Sequence, residues 1–168
     1  MKQSANAAVY FVDRHIDEGR GDRLAFREAS GKGRTLSYGA LAEAAARVAG
    51  ALTRAVIPRE SRALMLVLDQ IEFPQIFWGC LKAGVIPVPL NTLLATPVYA
   101  AILEDSRATL LFVSAELWEV IAPAAKASPW LERIVVIGDA PEGCESFDAF
   151  VAGAEPAFPR LRESNVSA

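Results

Sequence analysis

The chain has 168 residues, 52% apolar and 22% charged, with 17 Lys+Arg against 20 Asp+Glu and a net charge of −3. This composition supports one domain with a sizeable core and argues against wholesale disorder, a basic nucleic-acid-binding face and a membrane-spanning helix. One His and two Cys leave no room for a His/Cys zinc site or a disulfide framework, so a reduced, cytoplasmic chain without a secretory leader is expected.

Residues 6–19 read as a first helix, with Asn6 as N-cap, an apolar stripe of Ala8, Val9, Phe11, Val12 and Ile16, and Gly19 closing the end. His15, the one histidine available to a Ser-His-Asp triad, falls inside this pattern and reads as an exposed helix residue. Leu24-Ala25-Phe26 and Thr35-Leu36-Ser37 read as short strands joined by a turn at Gly31-Lys32-Gly33. That turn lacks the spacing of a phosphate-binding Gly-Lys loop.

A helix over 38–55 follows, with Leu41, Ala45, Val48 and Leu52 on one face. Ser37 is placed to cap it, and Leu36 with Leu41 forms a hydrophobic staple. The unbroken apolar run 63–68 suits a strand covered on both faces. Asp69 marks its carboxyl end, suited either to a ligand or to helix capping. Helix 72–83 tolerates Pro74 because the proline falls in the first turn, and Gly84 ends it. Phe73, Phe77 and Trp78 offer an aromatic pocket on one reading; their helical spacing favours core packing. Val85 to Pro89 is extended, and its two prolines confine it to a short or edge strand.

Thr96 and Pro97 are expected as N-cap and first residue of the next helix. Glu104-Asp105 with Arg107 reads as its solvated end. Thr109 to Val113 is a strand, Ser114 is expected to cap helix 115–126, Ile134 to Ile137 is another strand, and a short helix covers 147–153. Strands thus alternate with helices at near-even spacing, the βαβ rhythm of an α/β fold with a mostly parallel sheet. The domain is expected over 1–154, with 155–168 as a linker or tail.

Two segments carry a resemblance. Leu36-Ser37-Tyr38-Gly39-Ala40-Leu41 resembles the first core motif of the acyl-adenylate-forming superfamily, and Leu81-Lys82-Ala83-Gly84-Val85-Ile86-Pro87-Val88-Pro89-Leu90-Asn91 resembles the second, in matching order and separation. Asn6-Ala7-Ala8, Phe11-Val12-Asp13-Arg14-His15, Glu18-Gly19-Arg20-Gly21-Asp22, Glu72-Phe73-Pro74 and Leu90-Asn91-Thr92-Leu93-Leu94 resemble the start of benzoate-CoA ligases within that superfamily.

The resemblance implies the N-terminal subdomain of an acyl-CoA synthetase-like fold, incomplete here, covering about the first third of a full-length member. It implies a parent reaction in which an aromatic carboxylate attacks ATP to give an acyl-adenylate, which coenzyme A then converts to the thioester, with Mg²⁺ supporting the first step. The Gly/Ser/Thr-rich phosphate loop, the metal-side Thr-Glu pair, the ribose-binding Asp and the C-terminal catalytic Lys have no counterpart in these 168 residues. No catalytic residue and no metal ligand is therefore expected in the chain, and no tight binding of ATP, Mg²⁺ or CoA. By position, Leu90, Asn91 and Thr92 form the loop that lies on the CoA side in relatives. Leu93 stands where several such ligases carry a basic residue.

Three roles follow as expectations. The chain is the scaffold part of an aryl-CoA ligase, a stand-alone binding module derived from that part, or a fragment of another acyl-CoA synthetase. The apolar runs 63–68 and 109–113 favour the first. Its partners would be the remainder of the ligase, or a second copy paired through an open sheet edge.

Overall fold

A computed structural model describes residues 6–29 and 33–157. Gly31 and Lys32 of the expected turn, and 158–168 of the expected tail, lie outside the described residues. Five strands form a parallel sheet: β3 (Arg62–Leu66), β4 (Ile86–Pro89), β5 (Leu110–Ser114), β6 (Arg133–Ile137) and β7 (Glu145–Ser146), in the spatial order β4-β3-β5-β6-β7. A separate antiparallel hairpin joins β1 (Leu24–Arg27) to β2 (Thr35–Ser37). The expected α/β class with a parallel sheet is what the structure has.

Side chains alternate across the sheet, and helices cover both faces. Ala63, Met65, Leu110, Phe112 and Val135 pack against α2 (Tyr38–Arg54), α3 (Glu72–Ala83) and α6 (Phe147–Val151). Leu64, Leu66, Leu111, Val113 and Val136 pack against α4 (Thr96–Ser106) and α5 (Trp118–Ala127). This double burial explains why β3 from Ala63 to Leu66 and β5 from Leu110 to Val113 are apolar without a break. A third, smaller cluster of Val12, Leu36, Leu41 and Ile71 seats the hairpin and includes both residues of the expected staple. Ser37 caps α2 as expected, its hydroxyl accepting from the Ala40 amide at 3.2 Å.

The edges of the sheet are poor templates for another strand. On β4, the Ile86 amide donates to Ser61 O and the Leu90 amide to Met65 O, so the donors on the inner side are used. Pro87 and Pro89 between them have no amide to offer outward. At the other edge β7 is two residues long.

Several local expectations need correction. The first helical segment spans 7–17 and contains a π-helical turn, Val9–Asp13, before the α-helical turn α1 (Arg14–Asp17). Its wider register turns only Ala8 and Val12 into the core and leaves Phe11 and Ile16 exposed. Ala95, not Thr96, is the N-cap of α4, and Pro97 is the second helical residue; the Thr96 hydroxyl instead donates to Val120 O at 2.7 Å, tying α4 to α5. Ser114 ends β5 without capping, and a 3-10 turn, Ala115–Leu117, precedes α5. The last helix stops at Val151 because Arg54 donates to Phe150 O and Ala152 O and draws the chain out of helical register.

Candidate functional site

The sheet changes direction of winding between β3 and β5. From β3 the chain crosses by α3 to β4 on one side; from β4 it crosses back over by α4 to β5 on the other. Since α3 and α5 lie on opposite faces, the loops that enter them part at the carboxyl ends of β3 and β5. Open α/β sheets bind ligands in that crevice.

In this molecule the crevice is bridged by its own polar groups. Ser114, fully buried at the end of β5, accepts from the Leu68 amide and from Gln70 Nε2, each at 3.0 Å. The open space lies alongside, in a groove of about 280 Å³ between the hairpin and the start of α3, lined by Phe26, Glu28, Asp69, Gln70, Phe73 and Pro74.

Glu28 organises this groove. Its carboxylate accepts from the Ile71 amide at 2.9 Å, satisfying a free donor at the start of α3, and from the Arg34 guanidinium at 2.6 Å. Arg34 reaches on to Glu72 at 2.6 Å, so one guanidinium fastens the hairpin to α3. The Arg34 hydrogen bond, followed by the Ile71 amide, holds the Glu28 carboxyl below its ordinary range. Asp69, expected as a cap or ligand group, is exposed at the rim and does not cap α3, because Glu28 holds the Ile71 amide instead.

The loop after β4 turns at the residues selected by sequence. Leu90 packs into the core between the sheet, α4 and α5. Asn91 Oδ1 accepts from the Leu93 amide at 2.8 Å, and its carbonyl accepts from the buried Tyr99 hydroxyl at 2.8 Å. Both oxygens of Asn91 thus shape the loop. Leu93 beside them is 90% exposed and offers no charge to a phosphate. Leu90, Asn91 and Thr92 share the carboxyl edge of the sheet with Ser114 and Gln70 but do not line the groove. Among the described residues no three His, Cys, Asp or Glu side chains are grouped to hold a metal ion.

Phe73 and Phe77 stack at 6.5 Å between centroids and pack against the core below α3; Trp78 joins the cluster that seats the hairpin. All three are partly buried and pack against the core as their spacing predicts, while Phe73 also lines the groove. Two features had no local sequence signal: the capping of α3 by Glu28, 43 residues away in the chain, and the bridge from Gln70 to Ser114.

This topology and carboxyl-edge arrangement define an α/β domain of the kind found at the start of acyl-CoA synthetases. The chain belongs to the AMP-binding enzyme family, whose model matches residues 12–163. It is 46% identical over 136 residues to a 4-hydroxybenzoate–CoA/benzoate–CoA ligase of Rhodopseudomonas palustris, covering 81% of this chain and 25% of that protein. It is 36% identical over 154 residues to a benzoate–CoA ligase of Thauera aromatica, covering 91% and 28%. A crystal structure of an anthranilate CoA ligase in complex with anthranoyl-AMP superposes with a TM-score of 0.83 at 31% identity, covering 97% of this chain and 31% of that one. The chain therefore spans about a quarter to a third of the proteins it matches.

Proposed function

We propose that the chain is the N-terminal scaffold of an adenylate-forming aryl-CoA ligase. That enzyme activates benzoate or a related aromatic acid with ATP and Mg²⁺ and transfers the acyl group to CoA. The observation that carries the reading is the 46% identity to a benzoate-activating ligase, spread over 81% of this chain. On this reading the 168 residues alone catalyse neither step. Residues 1–154 form the subdomain, and 155–168 lead towards the phosphate-binding portion. Beginning that path, 155–157 lie along α2, where the Ala157 amide donates to Ala46 O.

The chain's own contribution is positional. Its carboxyl edge presents the Leu90-Asn91-Thr92 loop on the CoA side, held by the Asn91 and Tyr99 hydrogen bonds. ATP and its metal are held elsewhere, and CoA phosphates receive no contact from Leu93. The outer side of α4 supports a scaffold over a stand-alone module: Val98 is 43% exposed, Ala100 and Ala101 are exposed, and no charged residue covers that side before Glu104. A helix apolar on more than one side is a helix that something covers. A cytoplasmic location is part of this proposal and rests on the ligase reading. Among the described residues no helix is long and apolar enough to cross a membrane.

The test is ligase activity on benzoate, 4-hydroxybenzoate and a long-chain fatty acid with ATP and CoA, measured on the intact product of the native gene. Thioester formation on the aromatic acids supports the reading; preference for the fatty acid places the chain in another branch, and activity on none removes the proposal.

A further inference from the structure

Gly50 is buried inside α2, although glycine is among the poorest helix formers. The reason is a close approach of two backbones. A Cβ built on Gly50 overlaps Glu155 O and lies 3.0 Å from Glu155 C. Two further groups of α2 hold the same stretch of chain. One turn after Gly50, Arg54 donates to Phe150 O at 2.6 Å and to Ala152 O at 2.7 Å. One turn before it, Ala46 O accepts from the Ala157 amide at 2.9 Å.

Ala46, Gly50 and Arg54 are four residues apart, so they form one row along the helix with about 6 Å from each to the next. An extended chain advances about 6.6 Å over two residues, so Glu155 and Ala157 fall on neighbouring steps of that row. The chain therefore runs antiparallel to α2. What the row holds is backbone: the Phe150, Ala152 and Glu155 carbonyls and the Ala157 amide. Ala152, Gly153, Glu155 and Pro156 are exposed, and Ala154 packs against the core. Between α6 and this stretch lies Gly153, at φ 64°, where a built Cβ would meet Arg54 Nη1 at 3.9 Å and nothing nearer. That is a left-handed glycine with room to turn.

We infer that residues 152–157 are a latch, seated on the Ala46-Gly50-Arg54 row, which opens as a unit about Gly153 while the sheet and its helices stay folded. Few apolar contacts and exposed backbone hydrogen bonds are the marks of a unit that opens below the free energy of global unfolding. The latch has both: Ala154 is its contact with the core, and the bond from Arg54 to Ala152 O is exposed. Gly50 permits the seated state, because any side chain there takes the place of Glu155 O. The latch thereby sets the direction in which the chain leaves α2. The inference is independent of which reaction the protein serves.

The test is amide hydrogen exchange on the intact product of the native gene, followed through low, rising concentrations of urea. The Ala154 and Ala157 amides, which donate to Val151 O and Ala46 O, report the latch; Leu111 and Phe112 of the central strand β5 report the domain. Expected is protection on the order of a hundredfold lower at the latch, through an opening that responds little to urea, while the β5 opening responds steeply. In Gly50→Ala the latch amides should lose about a further tenfold of protection, the worth of one hydrogen bond. The β5 amides should keep theirs, because alanine favours the helix. Equal urea dependence of the latch and β5 in the parent protein overturns the proposal without any variant. So does a Gly50→Ala protein whose Ala157 amide is as protected as before, or one in which β5 loses protection in step with the latch.

Discussion

Gly79 sits where α3 crosses α2, and the crossing is close enough to exclude a methyl group. A Cβ built there meets Val48 Cβ at 2.5 Å, Val48 Cγ1 at 2.6 Å and Ala45 O at 2.9 Å. The Val48 Cγ1 contact can ease by side-chain rotation; Val48 Cβ and the Ala45 carbonyl are fixed to the backbone of α2, so the helices must separate. Overpacking of this kind costs up to about 3 kcal/mol, and replacing glycine by alanine inside a helix returns about 1 kcal/mol. Gly79→Ala should therefore destabilise the fold by about 2 kcal/mol, lowering the melting temperature by roughly 4–8 °C for a domain of this size. Thermal and urea unfolding followed by circular dichroism measure it. Combining it with Val48→Ala should cost about 1 kcal/mol less than the two changes summed, because the Cγ1 clash is gone while the Cβ contact stays. A Gly79→Ala protein as stable as the parent, or strict additivity with Val48→Ala, would refute the close crossing.

Other predictions concern single interactions. Val56 adopts φ 56° while 81% exposed, a left-handed conformation that β-branched residues resist. Val56→Gly should stabilise the protein by about 1 kcal/mol, readable as a raised urea midpoint. The Lys82 side chain is fully buried and its ammonium pairs with Asp13 at 2.5 Å, pinning the first helical segment to α3. Asp13→Ala should cost about 3 kcal/mol by removing the counter-charge, and Lys82→Met less than half of that, since an apolar stem tolerates the site. Chemical unfolding of both variants decides the order, and a larger loss in Lys82→Met contradicts the argument. Glu28 has a folded pKa below its ordinary 4.5, so its contribution is present above pH 4.5 and is lost as pH falls through the folded value. Glu28→Gln should flatten the stability profile in that acidic window, and an unchanged slope would mean the Arg34 and Ile71 hydrogen bonds do not distinguish the charged form.

Most of the layered fold is legible in the sequence because its signals are local. Ser37 with Leu36 and Leu41 announces the start of α2, Gly84 at φ 75° ends α3, and the Pro87/Pro89 pair marks β4 as an edge. The misreadings share one cause, competition from distant partners. Thr96 leaves the cap position because Val120 O accepts its hydroxyl, and Ser114 leaves its cap because Leu68 and Gln70 claim its oxygen. Asp69 is displaced as a cap by Glu28, which comes from a hairpin that no sequence window links to α3. His15 reads as one more polar helix residue until Tyr38 is seen beneath it. At the carboxyl edge, Asn91 is recognisable as a turn residue from its motif. The groove bounded by Glu28 and Gln70 exists only after folding, since its walls come from the hairpin and from the loop after β3.

The central claim is that these residues are the scaffold of an aryl-CoA ligase and carry none of its chemistry alone. The most direct measurement compares benzoate-dependent AMP release from ATP by the 168-residue chain with that by the intact product of the native gene, whose mass is recorded in the same preparation. The account predicts a product roughly three times heavier than this chain that forms benzoyl-CoA, beside a chain with no activity above the uncatalysed background. A product of 18.0 kDa, or turnover by the 168-residue chain itself, would contradict it.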